Sequence, residues 1–565
     1  MAGAIGVKGS TMNTAPRLRW RLPLEPYSTF LKPGVPERFL VAPPDVRPAS
    51  KREASEYYNG CFAFCGQSVQ VGNASLFSVQ APSQAWSDAA HSFRWMQNLA
   101  AAGGNLPVMQ ARALVQDWVT LCARKTNAPW YNTDVLAMRT IALLQYGSFV
   151  FTGADHAFYR TYMRFVSGQV RALHRVLPGE PDGRGRLRGF IALAIAMVAL
   201  PVPQVMRDRA IARLDAALEV HVLPDGGVIT RSPFDLADLT ADLFVVAKCF
   251  KALDEPVPVG IVHALDRMLP RLEALTHTDG ALAGFHGTSS EANDLIASLR
   301  VLDETRARAT ATAPQSGFMT LATGDARVVV DTGPEVGSRA LNSPHDSLSA
   351  FEFSSGTERI FVNIGSAQVA GPQLTGAGRV AGGHCKVSVA DVPATRPSAH
   401  NNAARSIKPW PDAGDGSSGG GDKGIVLHYT LNALPAERGL LLAADGRCLS
   451  GFDRVHLNGA RQGQWQGPGA LAGGGEYVLR FHLLPSVDAV VRGPGTVELT
   501  TSAGGVWRFE TDAQRTAVEP SMYLMGRDGP ATAKHIALRF DANGPDGDGD
   551  GDGRATASWR IEKIR

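Results

Sequence analysis

From Trp86 to about Leu302, apolar residues return at spacings of three and four, the period at which one face of an α-helix meets a core. Segments 89–101, 107–122, 134–151, 158–177, 188–200, 204–220, 236–253, 258–275 and 291–303 keep this rule, which predicts about nine consecutive helices. Turn residues separate them at Gly103-Gly104, Gly153, Pro178-Gly179 and Pro224-Asp225-Gly226-Gly227. Near Gln315 the pattern changes to short, turn-bounded and often β-branched runs, among them 318–321, 326–331, 349–353, 359–363, 385–390, 424–431, 439–443, 477–484, 505–511, 522–524 and 534–540. A run of helices followed by a run of strands predicts an α+β multidomain chain, an α-domain and then an antiparallel β-sandwich, with the boundary between Thr305 and Ser316.

Other stretches lack a period. Residues 1–50, rich in Pro, Arg and small side chains, read as an extended N-terminal arm. Segments 413–423 and 544–553 read as surface loops, and the alternating Asp546, Asp548, Asp550 and Asp552 as a solvated acidic hairpin tip. An EF-hand would need a Glu where Ala557 stands. The longest apolar run, 190–203, falls short of the roughly 20 residues that span a bilayer and predicts a buried helix, so no transmembrane segment is expected. Arg17, Arg19 and Arg21 are not followed by an apolar stretch of signal-peptide length, so no export signal is visible and a cytoplasmic location stays open.

Composition narrows the partners. With 44% hydrophobic and 19% charged residues, the chain is an ordinary globular one. A net charge of +3 over 565 residues forms no basic stripe, which sets nucleic acid aside. The six cysteines are scattered, and Cys61-x3-Cys65 has no second pair at zinc-ribbon spacing, so they read as small buried hydrophobes.

Several phrases then occur in a fixed order. Phe62-Ala63-Phe64-Cys65-Gly66 precedes His91-Ser92-Phe93-Arg94-Trp95-Met96; Trp130 precedes Asp134-Val135-Leu136-Ala137-Met138-Arg139; Asp225-Gly226-Gly227 precedes Arg231-Ser232-Pro233. His277-Thr278-Asp279-Gly280 runs into Gly284-Phe285-His286-Gly287. In the β-rich part come Asn342-Ser343-Pro344-His345-Asp346, Phe361-Val362-Asn363-Ile364-Gly365, Gly383-His384-Cys385-Lys386, Gly451-Phe452-Asp453-Arg454, Phe481-His482-Leu483-Leu484-Pro485 and Gly505-Val506-Trp507-Arg508-Phe509. Over about residues 60–560 this order resembles the heparinase II/III-like polysaccharide lyases. The resemblance implies an incomplete (α/α) toroid over 51–312, a β-sandwich over 313–565, and an active site in the cleft between them.

It also implies an acidic polysaccharide as partner and β-elimination as reaction. A group neutralises the uronate carboxylate, a base removes the C5 proton, and an acid protonates the leaving oxygen; charge developing on the substrate needs a cation or hydrogen-bond donor. By the resemblance, His345 falls on a metal-binding histidine, His384 on the later one and Asn363 on the Asp ligand of a structural zinc, while Ser343 stands where the catalytic histidine belongs. An amide oxygen is a weaker ligand than a carboxylate, so Asp346 and Asp391 stay open as substitutes. The helical loop, where family members carry Glu and a Tyr-His pair, has Thr230, Phe234 and Asp235, which leaves no phenol.

The candidate site is therefore His345 and Arg231 for catalysis, Arg231 as a bidentate contact to a uronate carboxylate or, alternatively, a loop charge paired with Asp235. Trp130, Tyr131 and His286 are the candidate sugar contacts, the aromatics because their faces stack on pyranose rings and His286 because its phrase links the domains. Each has a plainer reading, as core, hinge or strand residue, which also applies to His482. Two functions remain: a lyase, or a catalytically reduced carbohydrate-binding or envelope-assembly protein on the same fold. A glycoside hydrolase would need facing carboxylates, for which Asp225 and Asp235 are the pair in the helical part. The resemblance implies a location at the cell envelope or in the periplasm.

Overall fold

The computed structural model of the chain describes residues 36–72, 74–289, 291–303, 311–333, 345–366, 374, 376–389, 404–410, 421–432, 434–457, 476–526, 529–541 and 554–565. Ser343, Asp391 and the acidic stretch 546–552 lie outside them. A hairpin of β1 (Cys61–Phe64) and β2 (Gln67–Gln70) precedes most of the helices, and its first strand holds the phrase Phe62-Ala63-Phe64. Too short for a period, it is fixed by stacking of Phe62 on Tyr57, with ring centroids 5.0 Å apart.

Helices Thr133–Gln145, Arg184–Ala199 and Pro233–Ala252 are buried almost all round and pack side by side. Helices Asn105–Leu121, His156–Val176, Gln204–His221 and Val259–Ala274 bury a single face. Their different apolar coverage sorts them into the inner and outer layers of a toroid. Of the apolar run 190–203, residues up to Ala199 belong to an inner helix, and none of the described helices is long and apolar enough to cross a membrane.

The inner helices carry charge at their N-terminal ends. Arg188, fully buried, donates through Nε to Asp242 Oδ2 at 3.0 Å and also pairs with Asp134 and Asp238. Arg94 Nη2 reaches Asp238 at 2.9 Å, and Arg184 bridges Asp134 and Asp235 at 2.8 and 2.9 Å. Of the arm, residues 36–50 are described, and they are pinned to the toroid: Leu40 N–H donates to the Ala199 carbonyl at 2.8 Å, and Arg47 pairs with Asp238 and Asp242 at 2.8 and 2.6 Å. Four arginines thus face Asp134, Asp235, Asp238 and Asp242. Burial opposes the Asp238 charge, but Arg188, Arg94 and Arg47 outweigh it and hold the carboxyl well below its usual range.

The last described helix ends at Leu302 and β3 (Thr312–Ala313) opens the β-domain. β3 pairs with β4 (Phe318–Thr323), followed by β5 (Ala326–Asp331), β6 (Phe351–Ser355) and β7 (Glu358–Phe361), all antiparallel. A second sheet has the order β17-β18-β13-β8, from Arg515–Tyr523, Ala531–Phe540, Tyr477–His482 and Val387–Val389. A bridge between Phe361 and Leu483 joins the two sheets into one layer. The facing layer has eight strands in the order β14-β15-β16-β19-β12-β11-β10-β9, running from β9 (Ala404–Pro409), β10 (Lys423–Leu431), β11 (Leu434–Leu442) and β12 (Cys448–His456) to β14 (Asp488–Gly493), β15 (Thr496–Thr500), β16 (Val506–Thr511) and β19 (Arg554–Lys563).

Phe351, Phe353, Phe481 and Leu538 from one layer meet Leu440, Phe509, Trp559 and Ile561 from the other in a single core. Arg438 on β11 spans this core. Its Nε donates to Asp453 at 2.7 Å, and its Nη1 donates to the Ser349 and Cys385 carbonyls at 2.5 and 2.7 Å.

Truncating one member of the toroid network strands its partners in a dry site. Asp238→Ala is expected to cost ~3–5 kcal/mol in urea unfolding. Arg52→Ala, which removes an exposed i,i+4 pair with Glu56, is expected to stay within ~0.5 kcal/mol.

Candidate functional site at the domain junction

The toroid meets the sandwich at Arg231. This residue precedes helix Pro233–Ala252 with φ +56°, and its guanidinium enters the β-domain. Nε donates to the Ser316 carbonyl at 2.8 Å, Nη2 to the Gly317 carbonyl at 3.0 Å, and Nη2 also pairs with Asp331 at the end of β5. The guanidinium lies 5.1 Å from the Phe318 ring centre. Glycine is required beside it: a Cβ at Gly333 would stand 2.4 Å from Nη2, and one at Gly317, φ +71°, would stand 2.3 Å from the Gly333 Cα.

Asp331 accepts from all sides. Ser347 Oγ donates to Oδ2 at 2.6 Å, Gly333 N–H to Oδ1 at 3.1 Å, and His286 Nε2 sits 3.2 Å from Oδ2. Burial resists its charge, yet Arg231, His286 and Ser347 hold the carboxyl below the usual range. Arg231 is therefore paired with Asp331, and not with Asp235, which takes Arg184. Being buried and neutralised, it has no free face for a uronate carboxylate.

His286 leads to the other histidines. The His345 N–H donates to His286 Nδ1 at 3.4 Å, and the Gly287 N–H donates to His345 Nε2 at 3.3 Å. Ring centres of His286 and His345 are 5.8 Å apart, and those of His345 and His384 are 5.2 Å apart, so the fold brings all three together. All three are at most 2% exposed. Hydrogen-bond geometry assigns the tautomers: His345 accepts at Nε2 and so carries its proton on Nδ1, whereas His384 Nε2 donates to the Gly378 carbonyl at 3.1 Å. His345 Nδ1 and His384 Nδ1 have no hydrogen-bond partner among the described residues.

These assignments bear on the zinc expectation. The lone pair of His345 Nε2 is taken by Gly287, leaving His384 Nδ1 as a bare ligand atom. Asn363 Oδ1 accepts the Cys385 N–H at 3.1 Å, and Asp346 is held by Lys386 Nζ at 2.8 Å. Among the described residues no group of three or more His, Cys, Asp or Glu side chains comes together as a metal site. With one histidine nitrogen and the amide oxygen already taken and a buried lysine paired with the nearby carboxylate, His345, His384 and Asn363 do not fit zinc as a set.

Burial depresses all three histidines. His384 falls to about 4, through burial and then Lys386; His345 falls well below its ordinary value through burial, His384 and His286. At neutral pH both are uncharged. The remaining candidates lie elsewhere: Trp130 stacks on His91 with ring centres 4.4 Å apart, and Tyr131 donates to the Ala123 carbonyl at 2.9 Å. Both are half-buried in the toroid. His482 is buried between Ser521 and the Gly382 carbonyl, at 2.8 and 2.9 Å. Asp225 accepts from Ser316 N–H at 2.7 Å, so neither it nor Asp235 is free to face a glycoside.

Residues that sequence reasoning missed dominate the junction. Asp331 is one, and Glu352 another: its carboxylate accepts from Asn363 N–H at 2.7 Å and Gly284 N–H at 3.0 Å and contacts His277 Nε2 at 2.9 Å, tying the linking loop to β6. The glycines at 317 and 333 were the available sign of a close approach.

A depressed histidine pKa means that the unfolded chain binds the proton first, so stability is lost as pH falls below about 6.5 and the loss continues to the folded value, about 4 for His384. Urea unfolding at pH 7.5 and 5.0 is expected to show this loss, up to ~1.4 kcal/mol per pH unit per histidine. His384→Gln is expected to flatten it; an unchanged slope would contradict the burial of His384 as a neutral ring.

Comparisons with known proteins agree with this architecture. Residues 305–559 match the family described as heparinase II/III-like, C-terminal. Along the chain, FtsZ-localized protein C of Caulobacter vibrioides is 26% identical over 502 residues, 86% of this chain and 85% of the relative. In structure, a heparinase III superposes with a TM-score of 0.67 at 13% identity, covering 88% of this chain and 80% of that one. The heparan sulfate lyase HepC of Pedobacter heparinus gives 0.54 at 16%, covering 92% and 84%. The β-domain thus matches the heparinase II/III-like C-terminal family over residues 305–559, and the chain as a whole shares its toroid-plus-sandwich fold with these lyases.

Proposed function

We propose that the protein binds an acidic, uronate-containing polysaccharide on its lyase-type fold without cleaving it. One observation carries this reading: Arg231, the cation expected to neutralise a uronate, is enclosed at the domain junction and already neutralised by Asp331. Catalysis by β-elimination needs that charge to be offered to the substrate during the reaction. Ser343 in place of a histidine and the absence of a phenol near Thr230 in the sequence point the same way. The lyase-like neighbours support a glycan as partner, and the relative, named for its localisation with FtsZ, supports a role set by position. We extend to this chain the cell-envelope or periplasmic setting that the family resemblance implies.

A second reading, retained turnover, draws on His384, whose Nδ1 lone pair is bare and whose ring is neutral at working pH. Such a base would have to be uncovered by substrate. Incubation with polygalacturonate, alginate and heparin while following ultraviolet absorbance of the unsaturated product separates the two. Binding that weakens with salt, with no gain in absorbance, is expected. A steady gain that His384→Ala abolishes would replace binding with cleavage.

A further inference from the structure

Away from the domain junction, helix His156–Val176 carries Arg160, Arg164, Arg171 and Arg175 and not one Asp or Glu along its 21 residues. The whole chain has a net charge of only +3, so this outer helix concentrates positive charge that the rest of the protein balances. Arg160 to Arg164 and Arg171 to Arg175 are i,i+4 pairs of like charge, an arrangement that costs helix stability unless an anion offsets it.

Arg164, Arg171 and Arg175 border an open groove of about 390 Å³ between this helix and the segment that ends helix Asn105–Leu121 and leads to Tyr131. None of the described residues lining it is acidic. Tyr131 supplies a half-buried ring at one wall and Gln169 an amide at the floor. At Gly168 a Cβ would meet nothing within 4 Å, so the middle of the helix leaves room for a ligand.

A second observation points to an anion. Directly behind Tyr131 and Gln169 lies Arg139, fully buried, and no carboxylate is paired with it. Its Nε donates to Gln169 Oε1 at 2.9 Å, its Nη1 donates to the His91 and Trp130 carbonyls at 2.8 and 3.1 Å, and the Tyr131 ring centre is 5.3 Å away. Nη2 has no hydrogen-bond partner among the described residues. Burial pulls its pKa down to about 9, which still leaves it charged at neutral pH. In a dry site such a charge acts at longer range than one in water.

We infer that this groove on the outer face of the toroid binds the anionic groups of an acidic polysaccharide, with Arg164, Arg171 and Arg175 contacting carboxylates or sulfates and Tyr131 packing on a sugar ring. The inference rests on the binding function proposed above and moves its site from the domain junction to the outer layer. Guanidinium forks match carboxylate and sulfate oxygens, and the tyrosine ring with its neighbouring amide suits a pyranose better than a lipid headgroup.

The test measures affinity of the full chain for heparin, polygalacturonate, neutral dextran and phosphatidylglycerol vesicles, before and after the combined change Arg164→Gln, Gly168→Glu and Arg175→Gln. Binding of both acidic glycans and not of dextran is expected, weakened about ten-fold or more by the triple variant, the effect of ~1.4 kcal/mol. Its melting temperature should match the parent. Should the triple variant fail to fold, Gly168→Glu alone places an acid in the open groove and is expected to weaken binding in the same direction. Glycan binding that neither variant changes would overturn the groove and leave the binding function standing. No binding of either glycan by the parent chain would remove the binding function itself. Vesicle binding lost in the variant, without glycan binding, would assign the groove to a membrane surface and overturn the inference.

Discussion

One buried ion pair, Arg231 with Asp331, fixes how the two halves of this protein meet. The guanidinium comes from the loop before an inner helix and the carboxylate from the end of a strand, so neither domain alone can satisfy its own charge. Removing one partner leaves the other charged and dry, which is far costlier than never having buried the pair. The contact therefore imposes a relative placement. His286, Ser347 and the Gly333 amide complete the shell around Asp331, and the histidine cluster follows from that shell.

The same constraint shapes the chemistry. An enzyme working on a uronate needs a cation and a proton carrier that face the substrate. Here the cation is committed to holding the domains and the histidines are enclosed and neutral. At the N-terminal ends of the inner helices charge is likewise balanced, with Arg47, Arg94, Arg184 and Arg188 matched against four aspartates, whereas the buried Arg139 faces only carbonyl and amide oxygens. The outer helix His156–Val176, by contrast, carries arginines and no acid of its own.

The periodic parts of this fold were legible in the sequence. Apolar residues at three and four produced the helices, and the change near Gln315 marked the strands, because both patterns are repeated many times and record which face is buried. Single long-range contacts leave no such trace. Arg231 and Asp331 are 100 positions apart, and nothing local to Arg231 distinguished a bond to Asp331 from one to Asp235. The pairing of His345 with His384 was suggested by family resemblance and the structure does bring them together, but their tautomers depend on the Gly287 amide and the Gly378 carbonyl, which no spacing encodes. The absence of acidic residues from helix His156–Val176 was open to view, yet a helical period says only which face is apolar, and not which residues line a groove beside the other.

The most direct measurement is footprinting of the native protein at neutral pH with diethylpyrocarbonate, with each histidine read by mass spectrometry. His156 and His263 are exposed and should react quickly, while His286, His345 and His384 should stay unmodified until the protein is unfolded. Rapid modification of His345 or His384 in the folded protein would contradict an enclosed junction and would show a histidine pair open to substrate.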